Sequence, residues 1–335
     1  MPNIALRPRL RPLRAGQALP GVPTASTAEV QPPEIISAGG IRWLNIERPR
    51  EAEREWLQRE FGFHPLAIED VASRNQRPKL DAYDDYLFIV LHFPVFDKAT
   101  KRLLTAELDI FVGPDYLITL PDQPLPAIES LFDRYGQNDE VRESVFSKGT
   151  GYLLYKIVDT GVDSSFPMLR RMGDKLDRLE DDIFEGRSAE IVRDLSEAKQ
   201  EIINFRRIVR PMRAVLRDLE RTKQRYLAEE LDIYFDDITD AAERVWDVLE
   251  NYKEVVEALE DSNESVLSHR LNESLRVLTA FSVAMLPLTL VASIFGMNVT
   301  LPGDTNSPLE FWLVIGLMAV ILTGVLAFFR RRGYL

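Results

Sequence analysis

Two long apolar runs, set close together, constrain this chain more than any other feature. Val277 to Phe295 and Phe311 to Phe329 each hold 19 residues without one Asp, Glu, Lys, Arg or His. That is close to the ~20 apolar residues a helix needs to cross a bilayer. Between them lies a short loop that begins Gly296-Met297-Asn298, and after the second run come Arg330, Arg331 and Arg332. A charged body carrying a two-span hairpin is either tethered to a membrane or moves something across it.

The flanks predict an orientation. Arg270 and Arg276 precede the first run, three arginines follow the second, and none lies from Gly296 to Glu310. The positive-inside rule then puts the body and both termini in the cytoplasm and the loop outside. The expected location is a cell (inner) membrane, crossed twice. Residues 1–33 are rich in Pro and Arg with no acid before Glu29, and read as a disordered tail. An organelle transit peptide is the alternative, against which Pro8 and Pro12 argue by breaking the helix it needs.

A net charge of -12 opposes a nucleic-acid partner, because no basic excess neutralises phosphates, and suits cationic ligands. There is no Cys, hence no disulfide and no thiolate metal site. His64, His92 and His269 lie far apart and read as structural. With no Cys nucleophile, phosphate loop or Gly-x-Ser-x-Gly motif, an enzyme is not expected, and no cofactor is called for.

The body divides by pattern. Residues 34–148 mix strands and helices as an α/β domain. Tyr86 to Phe93 is a buried-strand run, and Asp109–Val112 and Tyr116–Leu120 form a hairpin about Gly113-Pro114. Helices are predicted near Glu51–Phe61 and Ala127–Tyr135. Residues 149–270 form a long-helix stalk and helical hairpin, with helices over Leu169–Phe184 and Ala189–Arg221, a break at Gly186 and a kink at Pro211. Asp174 to Glu201 holds ten acids against five bases, read as a solvated face. Val245, Leu249, Tyr252, Val256 and Leu259 recur at 4, 3, 4, 3, a heptad seam. No Pro or Gly interrupts the chain from Glu229 to Pro287. A single rod of roughly 100 Å from Glu229 to Phe295 is predicted, at ~1.5 Å per residue. Residues 271–335 are the two-span membrane domain.

Two helices cannot enclose a pathway, so transport requires several copies about an axis. The first span carries a suitable wall. Asn272, Leu275, Thr279, Ser282, Leu286, Thr289 and Ser293 follow at 3, 4, 3, 4, 3, 4 along one stripe. Small polar residues also serve simply to pack helices together. The stripe has no acid, so a bare divalent cation meets no charged ligand there. Its oxygens can instead accept hydrogen bonds from a metal's water shell, which magnesium gives up reluctantly. Leu275 and Leu286 would form constrictions that gate by dewetting. Gly296 would let the backbone turn at the mouth, and Asn298 would offer an oxygen to the arriving ion.

These residues resemble the CorA family of magnesium/cobalt transporters. The likeness rests on Gly296-Met297-Asn298 after a span containing Met285-Leu286-Pro287-Leu288-Thr289, a second span and a basic C-terminus. In the body, His64-Pro65-Leu66-Ala67-Ile68-Glu69-Asp70, Gln76-Arg77-Pro78-Lys79-Leu80 and Tyr234-Phe235-Asp236-Asp237 add to it. The resemblance implies a funnel-shaped homopentamer with an α/β cytoplasmic domain, long stalk helices and two transmembrane helices. It makes Gly296, Met297 and Asn298 the selectivity entrance, and Asn272, Leu275, Leu278, Ser282, Leu286 and Thr289 the pore lining. It also implies sensing of cytoplasmic magnesium by Glu69, Asp70 and Asp237 between subunits. Independently, Asp232, Asp236 and Asp240 stack at i, i+4, i+8, where like charges cost roughly 0.2–0.5 kcal/mol per pair until a cation relieves them.

The resulting expectation is a magnesium influx channel passing a hydrated ion and closed by cytoplasmic magnesium, which is both substrate and regulatory ligand. The loop departs from the family's frequent Met-Pro-Glu-Leu and reads Val299-Thr300-Leu301-Pro302-Gly303-Asp304. A zinc (or cobalt/nickel) transporter of the same superfamily, similar to ZntB, therefore stays open. So does a non-conducting membrane-tethered scaffold or sensor.

Overall fold

The computed structural model describes residues 34–73, 76–97, 99–100, 102–185, 188–222, 231–297 and 308–332. The expectations for the tail at 1–33 and the break at Gly186 lie outside them. Two short strands open the fold, β1 (Glu34–Ala38) and β2 (Ile41–Asn45), followed by helices α1 (Glu51–Phe61) and α2 (Pro65–Ala72). Strands β3 (Lys79–Ala82), β4 (Leu87–Asp97), β5 (Arg102–Val112) and β6 (Tyr116–Pro121) complete one six-stranded sheet, in the order β1-β2-β6-β5-β4-β3. Every neighbouring pair is antiparallel except β2 and β6, which run parallel with Arg42 opposite Tyr116.

Both faces of the sheet are covered, which is why Leu87 to Leu91 reads as an unbroken apolar run. One face, with Phe88, Val90, Phe111 and Ile118, packs under α1 and α2 through Leu57 and Ala67. The opposite face, with Leu87, Ile89, Leu91 and Phe93, joins α3 (Pro126–Gln137), α4 (Asp139–Phe146) and α5 (Thr150–Asp163). That core continues without interruption into α6 (Phe166–Glu185), α7 (Ser188–Arg221) and the upper part of α8. At the α5 crossing, a methyl on Gly161 would come within 2.5 Å of the Phe93 ring.

The predicted rod is one helix, α8 (Asp232–Phe295), of 64 residues; at ~1.5 Å per residue it is about 96 Å long. Its heptad seam is buried at Val245, Leu249, Val256 and Leu259, with Tyr252 partly buried against α6. Ion pairs tie α7 to α8 along the seam: Lys199–Glu260 at 2.6 Å, Arg206–Glu250 and Arg213–Glu243. Trp246 lies between the last two, its ring 5.0 and 4.8 Å from the guanidinium carbons of Arg206 and Arg213. Pro211 sits inside α7, which stays helical on both sides of it.

Below Val266 the body no longer covers α8. The rod continues alone and meets α9 (Pro308–Arg331). The lower part of α8 and Phe311–Arg331 are each long and apolar enough to cross a membrane. Only Ala280 and Ala284 of α8 are buried there, in the part of the rod that packs on α9. Small residues allow this close approach.

Candidate ion pathway and sensing acids

The polar stripe lies on the side of α8 away from α9. At about 100° per residue, Ser282, Leu286 and Thr289 fall roughly opposite Ala280 and Ala284. All six predicted lining residues, Asn272, Leu275, Leu278, Ser282, Leu286 and Thr289, are exposed in the single chain. Ser282, Leu286, Thr289 and Ser293 line one groove of about 520 Å³. Asn272 lines a second, of about 600 Å³, with Asp261, Glu264, Ser265, Ser268 and His269. Asp261, Ser265, Ser268 and Asn272 continue the stripe at 4, 3, 4, which the sequence reading stopped short of. The periodicity was there to be followed past the apolar run.

The hydroxyls have a definite polarity. Thr279 Oγ1 donates to the carbonyl of Leu275 (2.7 Å), Ser282 Oγ to Leu278 (2.9 Å) and Thr289 Oγ1 to Met285 (2.9 Å). Each proton is spent on the helix's own backbone, so each oxygen presents lone pairs outward. Helix α8 ends at Phe295, and Gly296 begins the turn that leaves it, with Met297 in a bend. The φ of -86° and ψ of -4° at Gly296 are helical, and its N–H closes the last turn on Ala292 O at 2.9 Å. A methyl there would press on that carbonyl at 3.1 Å. Met297 follows as an exposed side chain, and Asn298 lies outside the described residues.

The predicted sensing acids are not together within one chain. Glu69 is exposed on α2, and Asp70 Oδ2 accepts from Lys79 Nζ at 2.6 Å, which also reaches Asp81 at 2.6 Å. Burial pulls the Lys79 pKa down, but the bonds to Asp70 and Asp81 outweigh it and leave the ammonium raised. Asp237 is exposed near the top of α8. Its charge reaches Asp159 on α5, whose pKa is raised first by burial, then by Asp163 and by Asp237. Sequence reasoning missed Asp159. The signal was two acids, Asp159 and Asp163, one turn apart on a helix whose single base, Lys156, pairs with Asp159 at 3.6 Å. Among the described residues no three His, Asp or Glu side chains gather to hold a metal. His64 is structural, its Nδ1 accepting from Leu66 N at 3.2 Å to cap α2; His92 pairs with Glu107 at 3.3 Å.

A strand-and-helix body, a single rod and a two-helix hairpin with an uncharged polar stripe define a class of membrane transporter. The chain belongs to the CorA-like Mg2+ transporter family, whose model matches residues 38–331. The putative metal ion transporter YfjQ of Bacillus subtilis is 31% identical over 87% of this chain and 89% of its own length. The cobalt/magnesium transport protein CorA of Thermotoga maritima is 28% identical over 88% and 83%. The complete CorA structure from Methanocaldococcus jannaschii superposes with a TM-score of 0.79, covering 90% of this chain and 94% of that one at 24% identity. Relatives also include the zinc transport protein ZntB of Yersinia pseudotuberculosis, 19% identical over 90% of each chain. The protein is thus a divalent-cation transporter of the membrane, not an enzyme.

Proposed function

We propose that the chain is a magnesium influx channel, a homopentamer in the cell membrane with body and termini in the cytoplasm. Hydrated magnesium collects at Asn298 and descends a ring of first spans. The observation that carries this reading is the orientation of the Thr279, Ser282 and Thr289 hydroxyls, whose free lone pairs face away from α9. A hydrated cation turns its water hydrogens outward, and this wall accepts them. Self-assembly is supported by Leu267, Leu271, Leu275 and Leu278, exposed along the part of α8 that its own body leaves uncovered.

Gating follows from the acids. When cytoplasmic magnesium is high, ions shared between Asp70 of one subunit and Asp237 of the next hold the funnel closed, with Glu69 and Asp159 adding charge. When it falls, repulsion loosens the contact and the Leu275 and Leu286 constrictions wet. Purified protein in liposomes should conduct magnesium, and Asn298→Ala should lower flux at least tenfold. Conductance absent from the wild type would instead favour a scaffold. Asp237→Lys should abolish the dependence of flux on internal magnesium; an unchanged dependence would sink the sensing half alone.

The loop supports a second reading. Asp304 is its single carboxylate between Asn298 and Glu310, and a ZntB stands among the relatives. Flux of magnesium, cobalt, nickel and zinc through one preparation decides between them.

A further inference from the structure

Four bases in and beside the acid-rich stretch of α6 and α7, Arg171, Lys175, Arg178 and Arg193, converge on one place. Arg171, Lys175 and Arg178 lie at i, i+4, i+7 and share a face of α6. With Arg102 at the start of β5 and Arg193 on α7, they line two adjoining cavities of about 210 and 520 Å³. The cavities share Leu103, Lys175 and Glu201, so they form one cleft between the β4–β5 hairpin and the two helices. Five cations face two carboxylates there, and both carboxylates are engaged. Glu201 pairs with Lys175 at 3.4 Å and Glu197 with Arg193 at 2.9 Å. Among the described residues neither Arg102 nor Arg178 has an ion-pair partner. In a chain of net charge -12 this is a local reversal of sign.

The shape of the patch narrows its ligand. From Arg171 to Arg178 is about 10 Å along the helix, at ~1.5 Å per residue, more than one tetrahedral anion covers. Guanidinium groups bind phosphate oxygens in pairs, which favours a linear phosphate chain over a single carboxylate. The inner wall is apolar: Phe96, Met168 and Met172 close it, and the Arg171 guanidinium carbon stands 4.9 Å from the centre of the Phe96 ring.

We propose that this cleft binds an oligophosphate anion, the triphosphate of a nucleotide or inorganic tripolyphosphate. The bound anion clamps the β4–β5 hairpin onto α6 and α7, and α6 packs in turn on α8, the rod that enters the membrane. Phosphate chains are also groups on which Mg2+ is held. The site is separate from the ion pathway and stands whichever metal is carried.

Calorimetric titration of the full-length protein, in EDTA, with ATP, tripolyphosphate and orthophosphate tests this. ATP and tripolyphosphate should bind, orthophosphate at least tenfold more weakly. Arg171→Glu with Arg178→Glu should weaken both by tenfold or more. Arg210→Glu with Arg217→Glu makes the same charge change at the same spacing on exposed positions of α7 and should leave both within twofold. Arg102→Glu, on a different element, repeats the test should the α6 pair disturb folding. Tighter binding of ATP than of tripolyphosphate would assign the Phe96 wall to the base; equal binding would assign the affinity to the phosphates alone. Absence of binding by either, or equal losses from the two charge-reversal pairs, would overturn the proposal.

Discussion

Asp109 stands on β5 beneath α2, almost wholly buried, with Oδ1 lacking any hydrogen-bond partner among the described residues. Burial drives its pKa well above the ordinary carboxylate value, and the charges of Glu107 and Asp122 push the same way. A raised folded-state pKa means the native protein holds a proton that the unfolded chain has lost. Stability therefore falls as pH rises from the unfolded value of about 3.9 towards the folded one. Asp109→Asn should raise the melting temperature at pH 7.5, with the gain vanishing towards pH 4; a gain that stays constant with pH would contradict this origin. Lys79 offers a second residue-scale test. Its ammonium holds the Asp70 carboxylate that a sensed ion would need. A partly exposed pair contributes about 0.2–1 kcal/mol, so on the proposed gating Lys79→Met should lower the magnesium concentration that closes the channel by about 1.4- to fivefold, read as half-inhibition of flux. The family resemblance singles out Asp70 and Asp237 as candidates, but not the ammonium that competes for Asp70. That competition depends on β3 running beside α2, a contact no local pattern encodes.

Elements whose pattern is local were legible. Helix α1 spans Glu51–Phe61 as its periodicity predicts, and Gly113-Pro114 turns β5 into β6. The seam of α8 is legible too, because a heptad spacing records burial against neighbouring helices. Strands β1 and β2 were not, since each is only five residues long and β2 finds its parallel partner β6 more than 70 residues away. Helix α5 was also missed: Gly151 and Gly161 weaken its helical signal, yet Gly161 is what lets α5 approach Phe93. Gly161→Ala should cost about 1–3 kcal/mol, as over-packed cores do, and lower the melting temperature by several degrees. Flux at low temperature should be retained, because the crossing lies in the body and not on the pathway. Unchanged melting would mean that Phe93 has room to move.

At the scale of the molecule, one helix carries both the Asp237 acid and the membrane stripe, so a tilt of the body must reach the pathway. Leu275 lies about 65 Å along the rod, so a tilt of about 5° moves it by roughly 6 Å, ample to separate it from its copies in the proposed pentamer. The stripe has a further consequence. Water around a chloride or sulfate ion turns its oxygens outward and seeks hydrogen-bond donors. From Thr279 to Thr289 the hydroxyl protons are tied to the backbone, so an anion's shell finds none. As the wall of the proposed pathway it would read the sign of an ion's charge while bearing no charge itself, through which way its dipoles point.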